Sequence, residues 1–433
     1  MDKTAFFEIM ERALPLLWYL TETYKAKTKK NENGKTVRVS HLRTAFRQAT
    51  SPDGAPIPGV YKTLIVGSHD DLLIELGNKH KFARGLTAVY EETSGDMSMK
   101  RFYPKFDNDD RQDEVEVSEG DFAGAVSAAV TLKLSGHLIK LFPVLGTDNQ
   151  FHWVVETKNG DDPVFVKPAW ELIKDFATEG LARHMHENGL TACFECMTED
   201  DQTHGARVFK PSVICTCVSR DAEEDNVMSD YMSHDELSAF CREHSIPICT
   251  SYQVDDVHEF VRELNLVRDG ANLDTIVTLL NRFGSVIQGT VDHVDVLGDV
   301  LEGLVIFMKM ADGSSKTLKY KFPCYTLRTF FVRQAIKDHL KPEHPFRFTD
   351  GVAVQKRIDG YIRHWVVSQD SRKHVDAYLW ACVNVYRVLH EDAAGVTSAP
   401  LLAAAADVEA ESGSKVALHI RIADAVRRAT EMF

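Results

Sequence analysis

Between residues 61 and 325 the chain is a succession of short apolar runs broken by Gly, Asn and Asp. Before that stretch, within it and after it, apolar residues recur three or four apart. The first pattern predicts strands and the second helices. Phe6, Ile9, Met10, Leu14 and Leu17 predict one helix over 4–24. Strands are expected at 62–67, 82–90 and 99–106, then around Lys133, turning at Gly136, and at 138–144 and 152–156, with an Asn-Gly turn at 157–160. A helix over 168–188, carrying Trp170, Ile173, Phe176 and Leu181, stops at Asn188-Gly189. Strands at 190–197 and 212–218 follow, then helical periods at 233–244, 254–266 and 273–283, then a hairpin pairing 301–310 with 316–322 across Ala311-Asp-Gly-Ser-Ser315. Beyond Thr326 the pattern is helical. The fold class is therefore α+β: antiparallel sheets flanked by helices over 1–330, with a helical insertion at about 220–285, and an all-helical C-terminal domain over 331–433.

Composition narrows the class. With 44% hydrophobic and 26% charged residues in 433, the chain is an ordinary globular protein. It shows no apolar run of membrane length and no basic leader before an apolar segment, so no signal peptide, transmembrane segment or membrane partner is expected and the location is intracellular, cytoplasmic or nuclear. Eight cysteines in so long a chain fit reduced thiols. A net charge of −14 argues against a protein that coats nucleic acid indiscriminately. Charge is nevertheless segregated: residues 25–47 hold eight Lys/Arg against Glu32, and 107–121 hold eight acids against Arg111. Cys193-x-x-Cys196 and Cys215-x-Cys217 invite a zinc reading, but on a strand Cys193 and Cys196 face opposite ways.

Two features carry chemistry. Lys133 interrupts the apolar run Val-Thr-Leu-Lys-Leu, and an amine kept close to other cations becomes a nucleophile; a strand-end lysine that reaches water is the plainer alternative. In the late hairpin, alternation puts Lys319 and Lys321 side by side on one face, with Glu302 at the start of the facing strand. Adjacent like charges favour an anionic ligand such as a polyphosphate, unless they protect an exposed edge.

In order along the chain stand Ala83-Arg84-Gly85-Leu86, Pro104-Lys105-Phe106, Lys133-Leu-Ser-Gly136, Thr191-Ala-Cys-Phe-Glu195, Glu302-Gly-Leu-Val305 and Lys319-Tyr-Lys321. This order resembles that of the covalent nucleotidyltransferases, and within them RNA ligases of the phage RNA ligase 1 type and the ligase domain of fungal tRNA ligases. The resemblance spans residues 80–325; Ser135 stands where that family has Asp or Asn, and Asp107 where it has Phe. It implies a nucleotidyltransferase core, ATP-grasp-like, and an ATP-dependent RNA ligase that joins 5′-phosphate and 3′-OH ends through lysyl-AMP and RNA-adenylate, in tRNA splicing or RNA repair. It implies Lys133 as nucleophile, Lys319 and Lys321 as cations that lower the amine's proton affinity and offset phosphoryl charge, and Glu302 as a hard oxygen ligand near Mg²⁺ or Mn²⁺. Arg84 and Lys105 would hold the triphosphate, Thr131 and the Leu132 backbone would read adenine, Gly136 would close the first motif, Glu195 would accept from the ribose hydroxyls, and Lys158 matches a lysine-bearing turn more loosely. The C-terminal domain would choose the RNA, such as tRNA halves. The chain would act as a monomer and leave end healing to separate enzymes, since it lacks a kinase phosphate loop. A DNA ligase or mRNA capping enzyme, and an RNA-binding protein that keeps the fold with weakened catalysis, are the alternatives.

Overall fold

Pro15 divides the first predicted helix in two. With a fixed φ and no N–H, proline ends one helix and opens the next, giving α1 (Lys3–Ala13) and α2 (Pro15–Thr23). The computed structural model describes residues 1–24, 28–30, 36–38, 42–67, 85–103, 119–158, 160–198, 211–221, 231–268, 301–313 and 315–321. Arg84, Lys105, the expected helix at 273–283 and the expected domain at 331–433 lie outside these residues. The architecture is α+β with antiparallel ladders, and the chain divides into two compact units.

The first unit takes in 1–105, 137–196 and 212–248. A ladder of three residue pairs joins β1 (Thr28–Lys30) to β2 (Thr36–Arg38). One four-stranded sheet has the order β3-β4-β5-β6, from β3 (Leu42–Thr50), β4 (Pro56–Gly67), β5 (Leu86–Glu91) and β6 (Met97–Lys100). The other has the order β11-β10-β8-β9, from β8 (His137–Leu145), β9 (Phe151–Thr157), β10 (Leu190–Met197) and β11 (Ser212–Arg220). Helices α1 and α2 cover the first sheet through Phe6, Met10 and Leu17 against Ile65, Leu86 and Ala88. The second is covered by α3 (Pro163–Ile173), α4 (Glu179–Glu187) and α5 (His234–Glu243), which set Val166, Leu181 and Phe240 in one core with Ile139, Leu141 and Phe194. Ile57, Val60, Val89, Phe142, Val144 and Val154 fill the space between the sheets.

The helix expected over 168–188 is thus two helices, and its start lies earlier. Asp162 accepts from the N–H of Val164 and Pro163 follows it, a start signal; Thr178 then accepts from Leu181 and opens α4 afresh.

In the second unit β7 (Ala125–Leu134), β12 (Ser251–Val254), β13 (Leu301–Met310) and β14 (Ser315–Lys321) form a sheet of order β12-β7-β13-β14. Its apolar face, with Val130, Leu132, Leu304, Ile306, Leu318 and Tyr320, is buried, as are Phe260 and Leu264 of α6 (Val257–Arg268), which packs on β7. Tyr320 donates its hydroxyl proton to the Leu264 carbonyl at 3.2 Å. The segment expected to be a helical insertion supplies α5 and α6, but between them it also supplies β12, the edge strand beside β7. Among the described residues no helix is long and apolar enough to cross a membrane.

Candidate active site

Alternation along β7 sends Leu132 and Leu134 into the core and leaves Thr131 and Lys133 on the opposite face. Register then assembles a row. Gly303 pairs with both Lys133 and Lys321, and Val305 with both Thr131 and Lys319, so Thr131, Lys133, Lys319 and Lys321 share one face. Strict alternation would send Glu302 to the other face. It does not, because the β7–β13 register slips by one residue between Leu301 and Gly303, and Glu302 is the extra residue of that bulge. A bulge re-aims a side chain, and here it brings the carboxylate onto the lysine face.

The result is a three-membered ion cluster. The Lys133 ammonium lies 2.6 Å from Glu302 Oε2 and the Lys321 ammonium 2.8 Å from Oε1. Lys133 and Lys321 sit two strands apart, about 10 Å between backbones, and their side chains converge over Gly303. Nothing larger than glycine fits beneath them: a Cβ at 303 would lie 1.8 Å from the Tyr320 carbonyl oxygen. Burial alone would raise the Glu302 pKa, but the two ammoniums outweigh it and hold the carboxyl at about 2. Lys133 keeps 20% of its side-chain surface in water, against 8% for Glu302, so the nucleophile candidate is the accessible member. Both oxygens of Glu302 lie on ammoniums, and among the described residues no group of three or more His, Cys, Asp or Glu is placed to hold a metal ion.

The remaining expected residues fall into separate places. Leu132 lies in mid-strand with its side chain in the core and its carbonyl 3.9 Å from the Cys249 thiol, while Gly136 belongs to the two-residue link from β7 to β8. Glu195 and Lys158 belong to the first unit. Glu195 pairs with Leu138, and Ile139 with Thr157, so Lys158, one residue past the ladder, comes opposite Leu138 on its other side. All three are half-buried at one end of the sheet. Gly85, the residue after Arg84, packs against this end: a Cβ there would lie 3.4 Å from Lys158 Cα. Cys193 and Cys196 join different cores, on opposite faces of β10.

Sequence reasoning missed the charged cluster one row deeper. Lys62, Lys140 and Glu156 are almost wholly buried: the Lys62 ammonium is 2.6 Å from Glu156 Oε1 and 3.0 Å from Asp161, and Lys140 is 3.3 Å from Glu156 Oε2. Burial would raise the Glu156 pKa, but Lys62 and Lys140 hold it at about 2, whereas burial lowers that of Lys140. The available signal was Lys140 within Leu-Ile-Lys-Leu-Phe, an interruption of the same kind as Lys133.

No protein-family model matches the chain, and no curated protein does. Solved structures that it is similar to include ATP-dependent RNA ligases and RNA ligases. An archaeal ATP-dependent RNA ligase (form 1) shares 13% identity at a TM-score of 0.45, over 87% of this chain and 79% of that one. Its form 2 shares 14% at 0.40, over 75% and 80%. A Naegleria gruberi RNA ligase mutant with ATP and Mn shares 11% at 0.30, over 73% and 82%.

Proposed function

We propose that this protein is an ATP-dependent RNA ligase that seals 5′-phosphate to 3′-OH ends through a lysyl-AMP intermediate. The observation that supports it most is the gathering of Lys133, Lys321 and Glu302 into one cluster, on a face that also bears Lys319 and Thr131. A solvent-reached lysine among further cations suits attack on a polyphosphate.

In the first step the Lys133 amine, having given up its proton, attacks the α-phosphorus of ATP; a P–N bond forms, the bond to the β-phosphate oxygen breaks and pyrophosphate leaves. An oxygen of the RNA 5′-phosphate then attacks that phosphorus, the P–N bond breaks and the amine recovers a proton. Finally the RNA 3′-OH attacks the 5′-phosphorus of the RNA-adenylate, and AMP leaves. Lys319 and Lys321 offset charge on the phosphoryl oxygens. Glu302 holds Lys133 and Lys321 in register in the resting state. Thr131 and the Leu132 backbone meet the adenine, Gly136 leaves room beside the nucleophile, Glu195 accepts from the ribose, and Arg84, Lys105 and Lys158 meet phosphates. Mg²⁺ or Mn²⁺ enters with the nucleotide as part of the substrate. Residues 331–433 select the RNA, tRNA halves or another broken strand whose ends separate enzymes have healed.

Incubation with α-labelled ATP and Mg²⁺ tests this. The expected result is a labelled adduct that survives denaturing washes and disappears in Lys133→Ala. Labelling by GTP in place of ATP would move the protein to the capping class, and no adduct with either nucleotide would overturn the reading.

A further inference from the structure

The buried cluster of the first unit has no part in the steps above, yet it places charge where charge is costly. Replacing a buried ion pair by apolar residues of similar volume is often neutral or stabilising, so stability alone is a weak account of it. Its geometry gives a stronger one. An ammonium has three protons to donate, and that of Lys140 reaches the Gly85 carbonyl at 2.6 Å, the Thr87 hydroxyl at 2.7 Å and the Lys100 carbonyl at 3.3 Å. The Thr87 hydroxyl in turn donates a hydrogen bond to Glu156 Oε2 at 2.7 Å. The two carbonyls lie where ladders stop: Leu86 is the last β5 residue paired to β4, and Lys100 the last of β6 paired to β5. Beyond those ends, strand hydrogen bonds no longer hold the backbone.

Gly85 is the residue that benefits. Its φ of +56° is left-handed, and a Cβ there would lie 2.6 Å from the Phe102 ring and 3.4 Å from Lys158 Cα. The Lys140 ammonium stands 5.4 Å from the centroid of that same ring. Lys62 differs. Among the described residues its ammonium meets only carboxylates, Glu156 and Asp161.

We propose that Lys140 is a positioning residue for ATP: it ties the start of β5 to the end of β6 and holds the Gly85 turn against Lys158, at the end of the sheet where Glu195 also stands. The proposal rests on the ligase reading for its ligand. By sequence, Arg84 directly precedes Gly85.

The test compares Lys140→Met with Lys62→Met in the full chain. Denaturant midpoints measure folding, calorimetry with ATP and Mg²⁺ measures affinity, and adduct yield at saturating ATP is measured separately. Both variants should be destabilised, but only Lys140→Met should weaken ATP binding, about tenfold, with adduct yield at saturation close to wild type. Thr87→Val, milder and nearly isosteric, should shift affinity in the same direction if Lys140→Met fails to fold. Equal shifts in the two lysine variants, or none in Lys140→Met and Thr87→Val, would overturn the proposal. Wild-type protein that binds ATP without forming an adduct would sink the ligase reading and leave the clamp to be judged by affinity alone; no ATP binding would sink both.

Discussion

Glu302 is the residue on which the lysine face turns, because it sits between two ammoniums that converge across a glycine. Its pKa falls from the ordinary 4.5 to about 2, and that of buried Glu156 does the same. A carboxylate whose folded pKa lies below its unfolded one adds stability that is complete above the unfolded value and fades as pH falls toward the folded one. The urea midpoint should therefore hold steady from pH 7 to about 5 and drop between about 4.5 and 2. Glu302→Gln should flatten part of that drop and cost about 2 kcal/mol at neutral pH, since it leaves the partly exposed Lys133 and Lys321 ammoniums without the buried counter-charge between them. An unchanged acid limb in this variant would show that Glu302 is not held as the ion cluster requires.

At the scale of the element, the bulge in β13 decides which face carries the chemistry. Gly303→Ala would force β13 away from Tyr320, so a loss of about 3 kcal/mol in stability, together with loss of adenylylation, is expected; a urea midpoint within experimental error of wild type would contradict this. The sequence spoke clearly here only in part. Period-two alternation placed Lys319 with Lys321, and the Asp-Gly loop announced the β13–β14 hairpin. Nothing local announced that Glu302 would be the extra residue. Strict alternation points it away from Lys133, and only the pairing of β13 with β7, about 170 residues earlier (Gly303 with Lys133), turns it back. Strand β12 was hidden for the same reason: four residues between two helical periods become a strand when β7 offers an open edge. The Lys62–Lys140–Glu156 cluster draws its members from three strands, and single interrupted apolar runs do not say which charges will meet. The break at Pro15 was passed over by the single helical period read across 4–24, although its cause is local: proline acts through its own ring and missing N–H.

Over the whole molecule, charge is distributed unevenly for a protein of net −14. A polyanionic substrate would be repelled on average and admitted where cations collect, so on the ligase proposal RNA engagement should be salt-sensitive. On the proposal that residues 331–433 select the RNA, joint replacement of Lys356, Arg357, Arg363, Arg372 and Lys373 by Gln should leave the ATP adduct intact. It should also reduce the slope of log RNA affinity against log salt by about 0.7 per lost contact; an unchanged slope would remove these residues from the RNA surface. The central claim is that Lys133 carries AMP on its way to an RNA end, and a chase measures it most directly. Protein labelled with AMP, freed of ATP, is mixed with RNA bearing a 5′-phosphate and a 3′-OH. The account predicts that label leaves Lys133, passes through a 5′-adenylylated RNA and emerges as AMP as the strand is sealed. Label that stays on the protein with 5′-phosphate RNA, or leaves equally well to RNA with a 5′-OH, would contradict it.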